Sequence, residues 1–77
     1  MVEKKRVIHQ LEEVLELDEG TLSGHELLKN IENWDSLNIL GFIAMVDENY
    51  SISINPEELE KCESVDELIS LIEKKLS

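Results

Sequence analysis

The stretch "ENWDSLNILGFIAMVDENY", residues 32–50, decides the fold class that the sequence predicts. Asp35 precedes a mostly apolar run without proline. Aspartate is a preferred residue at a helix N-cap, because its carboxylate accepts hydrogen bonds from unpaired backbone amides and lies at the positive end of the helix dipole. We therefore predict a helix that begins at Asp35 or Ser36 and ends near Tyr50.

This helix is apolar on more than one side. One face can supply the core through Ile39, Phe42, Ile43, Val46 and Tyr50. Leu37, Leu40 and Met45 remain for other directions, which leaves two interpretations. Either the helix is buried more deeply than a small bundle requires, or it exposes an apolar strip beside Asp47 and Glu48 that docks into grooves of partner proteins.

The segments before this helix predict a first helix and a long loop. Apolar residues recur at helical spacing between residues 3 and 16, with acidic residues on the side that should face water: Glu12, Glu13 and Glu16. Residues 17–34 are rich in glycine and polar turn residues, so we expect a loop with one helical turn near residues 26–29. Four apolar side chains are available to hold it in place: Leu22, Leu27, Leu28 and Ile31.

The segments after it predict two more helices. Asn55, Pro56 and Glu58 have the spacing of a capping box, which indicates a short third helix ending near Lys61. Ser64 and Glu67 form a second box before a fourth helix, whose apolar face contains Val65, Leu68, Ile69, Ile72 and Leu76. The predicted fold is all-α: a small four-helix bundle of three longer helices and one short third helix, with a long first loop, in one domain of residues 1–77.

Composition favours a binding or carrying role over catalysis. A core built from 77 residues is too thin to enclose a deep active site easily, so we do not expect an enzyme. A net charge of −11 repels nucleic acids and anionic membranes and attracts basic patches on partner proteins. Cys62, the only cysteine, is interpreted as a small buried apolar residue, and no apolar run is long enough for a membrane span. We expect a soluble, cytoplasmic monomer that binds no metal.

The hydroxyl of Ser36 has three possible roles. As a nucleophile it would need a nearby histidine base, but the positions of His9 and His25 in the sequence do not suggest a triad. It could instead support the helix cap as a first-turn residue. The third possibility is covalent modification: a phosphate ester on Ser36 would lie at a helix N-terminus, where free amides and the dipole favour negative charge.

These residues carry a resemblance to a known family. Asp35, Ser36 and Leu37 match the "DSL" motif of acyl carrier proteins, whose serine receives 4′-phosphopantetheine. The sequence resembles the family over essentially its whole length, in its acidity and in its order of helices. "IAMVDENYSISI", residues 43–54, resembles the end of the family's second helix and the connector after it.

The resemblance implies a passive carrier with Ser36 as its attachment residue and Asp35 and Leu37 beside the cofactor. A phosphopantetheinyl transferase would modify Ser36, a ligase would load an acyl or aminoacyl group as a thioester, and an acyltransferase or synthase would accept it. Leu37, Asp47 and Glu48 match positions that contact partner enzymes in the family. Leu40 and Met45 join them as predicted recognition residues through the apolar strip.

One departure bears on the pathway. Carriers of fatty acid synthesis usually continue "DSLDxVE", but Asn38 and Gly41 occupy the two acidic positions here. The sequence "WDSL" resembles specialised stand-alone carriers of polyketide, peptide or surface-polysaccharide pathways. We therefore expect a specialised pathway, with general fatty acid synthesis as the alternative.

Two other functions remain as hypotheses. "DENYSISINPEE", residues 47–58, partly fits a calcium-binding EF-hand loop, but Ile52 stands where the loop needs glycine. An unmodified acidic module that binds a basic partner through the same helix would share all of the electrostatics.

Overall fold

The computed structural model describes residues 3–76, and within that range it contains four α-helices and no strand. The helices are α1 (Lys4–Val14), α2 (Ser36–Tyr50), α3 (Pro56–Glu60) and α4 (Val65–Leu76). Their lengths are 11, 15, 5 and 12 residues, so the predicted bundle of three longer helices and a short third one is confirmed. None of the helices between residues 3 and 76 has the length and apolar character needed to cross a bilayer.

Helix α1 is shorter than the predicted range of residues 3–16. It ends at Val14 because Glu16 takes a left-handed conformation, with φ of 59°. The amide of Leu17 then turns back and donates to the carbonyl of Glu12 at 2.8 Å. Such a turn pairs carbonyls that the last helical residues would otherwise leave free.

The expectation that Glu12 faces water is wrong. Its side chain lies in the interior, and the residue is only 2% exposed. One carboxylate oxygen accepts a hydrogen bond from the amide of Leu22 at 2.9 Å. The first loop folds back over α1 and covers this residue, which the helical spacing of the sequence alone does not reveal.

The first loop is held by side chains and by its backbone. Leu22 and Leu28 are buried and Ile31 is half-buried, as expected, but the side chain of Leu27 is exposed, so the prediction that it holds the loop is wrong. The backbone of Leu27 forms an isolated antiparallel bridge with Ser64 instead. The helical turn is a 3₁₀ turn at Leu28–Asn30, slightly later than predicted.

The loop also caps the start of α4. The amides of Val65 and Asp66 donate to the carbonyls of Glu26 and Gly24, at 3.1 and 2.9 Å, which pairs two amides that a helix N-terminus leaves free. Gly24 has a φ of +112°, a backbone conformation that residues with a side chain rarely adopt, so this position favours glycine.

Both predicted capping boxes are present. Asn55 and Glu58 exchange hydrogen bonds at the start of α3, and Ser64 and Glu67 do so at the start of α4. The predicted apolar face of α4 is buried except at Leu76, which is exposed on the last turn, so that part of the prediction is wrong. The core also receives residues from α1, the first loop and the rest of the chain: Val7, Ile8, Leu11, Leu15, Leu22, Leu28, Phe42, Val46, Ile54 and Leu59.

Candidate functional site

Ser36 is the first residue of α2, and it is exposed. Asp35 precedes it as the N-cap in an extended conformation, and its Oδ1 accepts a hydrogen bond from the amide of Asn38 at 3.0 Å. The side chain of Asn38 in turn donates to the carbonyl of Asn33 at 2.7 Å. These two bonds fix how the chain enters the helix, so the hydroxyl of Ser36 is presented on a rigid element.

The two histidines are occupied elsewhere. His9 Nε2 lies 3.0 Å from a carboxylate oxygen of Glu13, and His25 Nδ1 lies 3.2 Å from one of Asp66. Within residues 3–76, no hydrogen bond joins either imidazole to Ser36. The described residues therefore show no Ser–His–carboxylate arrangement at Ser36.

A cavity of about 160 Å³ adjoins Ser36. It lies between α2 and α3, and its lining consists of Ser36, Ile39, Leu40, Pro56 and Glu60. Pro56 and Glu60 were not predicted as neighbours of the serine. Their proximity depends on how α3 packs against α2, and no local pattern in the sequence records that packing.

The exposed face of α2 next to Ser36 is apolar at its start and acidic at its end. Leu37 is 77% exposed and Leu40 is 56% exposed, so the interpretation of a more deeply buried helix does not hold at these positions. Asp47 and Glu48 are exposed near the other end of the helix. Met45 is half-buried and packs against the core, so only part of its side chain is available to a partner.

Gly41 lies on the side of α2 that approaches α1. A Cβ at this position would lie 3.5 Å from Cγ1 of Val14, which is an ordinary van der Waals distance. The helices therefore do not cross closely enough to require glycine.

The residues of the EF-hand hypothesis serve other purposes. Glu58 accepts a hydrogen bond from the amide of Asn55 at 3.2 Å and pairs with Lys75 at 2.9 Å. The hydrogen bond from Lys75, followed by that from Asn55, lowers the pKa of Glu58. Ser51 is the left-handed C-cap of α2. Ser51 thus ends α2, and Glu58, which would be the last ligand of a calcium loop, caps α3 and pairs with Lys75.

Comparison with known proteins identifies the family. The model of the family described as "Phosphopantetheine attachment site" matches residues 5–72, most of the chain. The chain belongs to this family, so it is a carrier that bears 4′-phosphopantetheine covalently. A search of curated proteins found no match.

The site fits the cofactor. The attachment needs a serine hydroxyl that another enzyme can reach, and Ser36 is exposed at a helix N-terminus where unpaired amides favour the charge of a phosphodiester. Carrier domains of this family interact with phosphopantetheinyl transferases and synthase enzymes.

Proposed function

We propose that Ser36 is the phosphopantetheine attachment residue of a non-catalytic carrier domain of residues 1–77. The observation that carries this proposal is the exposed hydroxyl at the first position of α2, directly after the Asp35 cap. We propose further that the protein works as a monomer in the cytoplasm, where coenzyme A is available.

Attachment uses the chain's own geometry. The oxygen of Ser36 attacks the phosphorus of coenzyme A that bears pantetheine, a phosphodiester forms, and adenosine 3′,5′-bisphosphate leaves. The transferase accepts the hydroxyl proton, because within residues 3–76 no histidine forms a hydrogen bond with Ser36. The amides at the start of α2 favour the phosphodiester charge. When attached, the group supplies a thiol that holds an acyl or aminoacyl group as a thioester.

Partner enzymes approach the exposed face of α2. A transferase, a loading ligase and a downstream acyltransferase or synthase all need access to the same attachment residue. Leu37 and Leu40, with the exposed part of Met45, offer apolar contact near Ser36, while Asp47 and Glu48 offer charge further along. The net charge of −11 steers basic partner surfaces toward the protein at low ionic strength.

The pathway we propose is a specialised one, for a polyketide, a peptide or a surface polysaccharide. It is supported by Asn38 and Gly41, which leave the start of α2 neutral where fatty acid carriers have two acids. If these neutral residues exclude partners of fatty acid synthesis, the phosphopantetheinyl transferase of that pathway will modify the double variant Asn38→Asp, Gly41→Glu faster than the wild type. Efficient loading of the wild type by that enzyme would favour the housekeeping alternative.

Intact mass tests the carrier role. The protein is incubated with coenzyme A and a broad-range phosphopantetheinyl transferase, beside Ser36→Ala and the matched control Ser70→Ala, which removes an exposed serine of α4. Wild type and Ser70→Ala should gain one phosphopantetheine, and Ser36→Ala should gain none. An unchanged wild type, or an equal gain in Ser36→Ala, would defeat the proposal.

A further inference from the structure

A second cleft, of about 360 Å³, lies between α1 and the first loop. Its floor is formed by three buried residues: Ile8, Glu12 and Leu22. Its rim is formed by exposed residues, which include Lys5, His9 and Glu19. None of the described residues lines both this cleft and the cavity beside Ser36, so the two are separate surfaces of the protein.

Only one oxygen of the Glu12 carboxylate forms a hydrogen bond within residues 3–76. Oε2 accepts from the amide of Leu22 at 2.9 Å. Oε1 lies 3.9 Å from Nδ1 of His9, which is too long for a hydrogen bond. No side-chain oxygen that is sealed from solvent in this range lacks a hydrogen-bond partner, so Oε1 opens onto the cleft. This oxygen is therefore free to accept hydrogen bonds from a ligand.

The burial of Glu12 decides which ligands the cleft favours. The residue is only 2% exposed, and the apolar side chains of Ile8 and Leu22 form the floor with it. Water screens a charge at such a place less than it screens a carboxylate on the surface, so the attraction for a cation is larger. A neutral donor gains the hydrogen bond alone, and an anion is repelled. The floor of the cleft therefore selects a donor that carries positive charge.

The rim favours a guanidinium group over an ammonium group. The carboxylate of Glu19 has no hydrogen-bond or ion-pair partner among residues 3–76, so the cleft offers one acceptor at its floor and another at its rim. A guanidinium has five donors in a fixed fork and is more weakly hydrated than an ammonium. Lys5 opposes a cation, but its long exposed side chain can turn toward solvent, and the net charge of −11 favours cations around the whole molecule.

We propose that this cleft binds an arginine side chain of a partner protein. The guanidinium donates to Oε1 of Glu12 and to the carboxylate of Glu19, and the methylene stem packs on Ile8 and Leu22. The proposal goes beyond the carrier role, because none of these residues takes part in attachment at Ser36. It gives a partner a contact with α1 and the first loop in addition to the exposed face of α2.

A titration of the full chain with two matched ligands tests the proposal. N-acetyl-arginine methylamide carries the guanidinium, and N-acetyl-citrulline methylamide has nearly the same shape with a neutral urea in its place. The arginine compound should shift the backbone amide signals of Ile8, Glu12 and Leu22 in a saturable way. The citrulline compound should bind at least about fivefold more weakly, because hydrogen bonds between charged groups are stronger than those to neutral donors.

Variants of the cleft identify the carboxylate responsible. Glu12→Gln keeps an oxygen for the amide of Leu22 and removes the charge, so it should weaken binding of the arginine compound by about fivefold or more. Glu16→Gln is the matched control, since it makes the same charge change on an exposed residue outside the cleft, and it should have less than about a twofold effect. If the amide signals show that Glu12→Gln alters the first loop, Glu19→Gln at the rim decides, with an expected loss of about two- to threefold.

Four results would overturn the proposal. Equal affinities for the arginine and citrulline compounds would show that charge is not recognised, and equal affinity for N-acetyl-lysine methylamide would show that the guanidinium is not. Equal effects of the cleft variants and Glu16→Gln would assign binding to net charge. Shifts spread over the acidic residues of α2, instead of the cleft amides, would place the ligand elsewhere.

Discussion

The carboxylate of Glu12 accepts a hydrogen bond from the backbone amide of Leu22, at 2.9 Å, inside the protein. This bond fastens the first loop to α1 and pairs two groups that burial would otherwise leave unsatisfied. Glu12→Ala removes the acceptor, and a buried amide without a partner costs about 1–3 kcal/mol. We expect urea unfolding to show a loss of that order.

The control for this prediction is Glu13→Ala on the exposed side of α1. Among residues 3–76 Glu13 pairs with the exposed His9, so its removal should change the free energy of unfolding by less than about 0.5 kcal/mol. Equal losses in the two variants would mean that the buried hydrogen bond does not stabilise the fold.

Gly41 offers a stabilising substitution. An alanine Cβ there would meet Val14 at an ordinary contact distance of 3.5 Å, and alanine favours a helix interior over glycine by about 1 kcal/mol. Gly41→Ala should therefore raise the free energy of unfolding by about 0.5–1 kcal/mol. The reverse change on the same helix, Ala44→Gly, should lower it by a similar amount. A less stable Gly41→Ala protein would show that the two helices approach more closely than the structure indicates.

Glu26 makes part of the stability depend on pH. Partial burial acts to raise the pKa of Glu26, but hydrogen bonds from the amides of Ser23 and Gly24 outweigh it and lower the pKa from 4.5 to about 2. A lowered pKa in the folded state means that the ionised carboxylate stabilises the fold above pH 4.5, and that this contribution is lost as the pH falls toward 2.

Glu26→Gln should accordingly lower stability at pH 7 and have progressively less effect between pH 4.5 and 2. Urea unfolding of wild type and variant across that range measures the difference, with Glu32→Gln as a control on an exposed residue of the same loop. A difference that stays constant from pH 7 to pH 2 would contradict the assignment.

The thiol of Cys62 should react slowly with disulfide reagents. Burial raises the pKa of Cys62, nearby Glu67 and Glu58 raise it further, and Sγ donates to the carbonyl of Glu58 at 3.6 Å. With little thiolate at neutral pH, we expect Cys62 to react with a disulfide reagent at least about tenfold more slowly than in the urea-unfolded chain. The modified protein should show a second, fast phase of reaction from the thiol of its phosphopantetheine arm. This fast phase should be absent from Ser36→Ala.

Reversing two charges tests partner recognition. In the double variant Asp47→Lys, Glu48→Lys, the transferase should attach phosphopantetheine severalfold more slowly at low salt. The reason is that the exposed end of α2 no longer attracts a basic partner surface. The matched control reverses two exposed acids of the first loop, Glu19 and Glu32. Helical content by circular dichroism should be unchanged in both variants. Equal rates for the two double variants would assign the effect to net charge rather than to this surface.

The helices could be predicted from the sequence because their starts are encoded locally. Asp35 and the boxes at Asn55 and Ser64 each act within four residues, and the structure reproduces all three. The cap at Asp35 places Ser36 at the first position of α2, where it is exposed.

The features that the sequence did not predict depend on contacts between distant segments of the chain. Glu12 is buried because a loop ten residues later returns to cover it, although its position in the helix looks solvent-facing. Glu60 lies near Ser36 because α3 packs beside the start of α2. Neither arrangement leaves a periodic or spacing signal in one sequence.

Peptide mapping can locate the phosphopantetheine group within the chain. Trypsin cleavage after Lys29 and Lys61 releases residues 30–61, a peptide that contains Ser36 together with Ser51 and Ser53. Fragmentation mass spectrometry of this peptide from the enzymatically modified protein should place the phosphopantetheine on Ser36. A modification found on Ser51 or Ser53, or on any other peptide, would contradict the assignment.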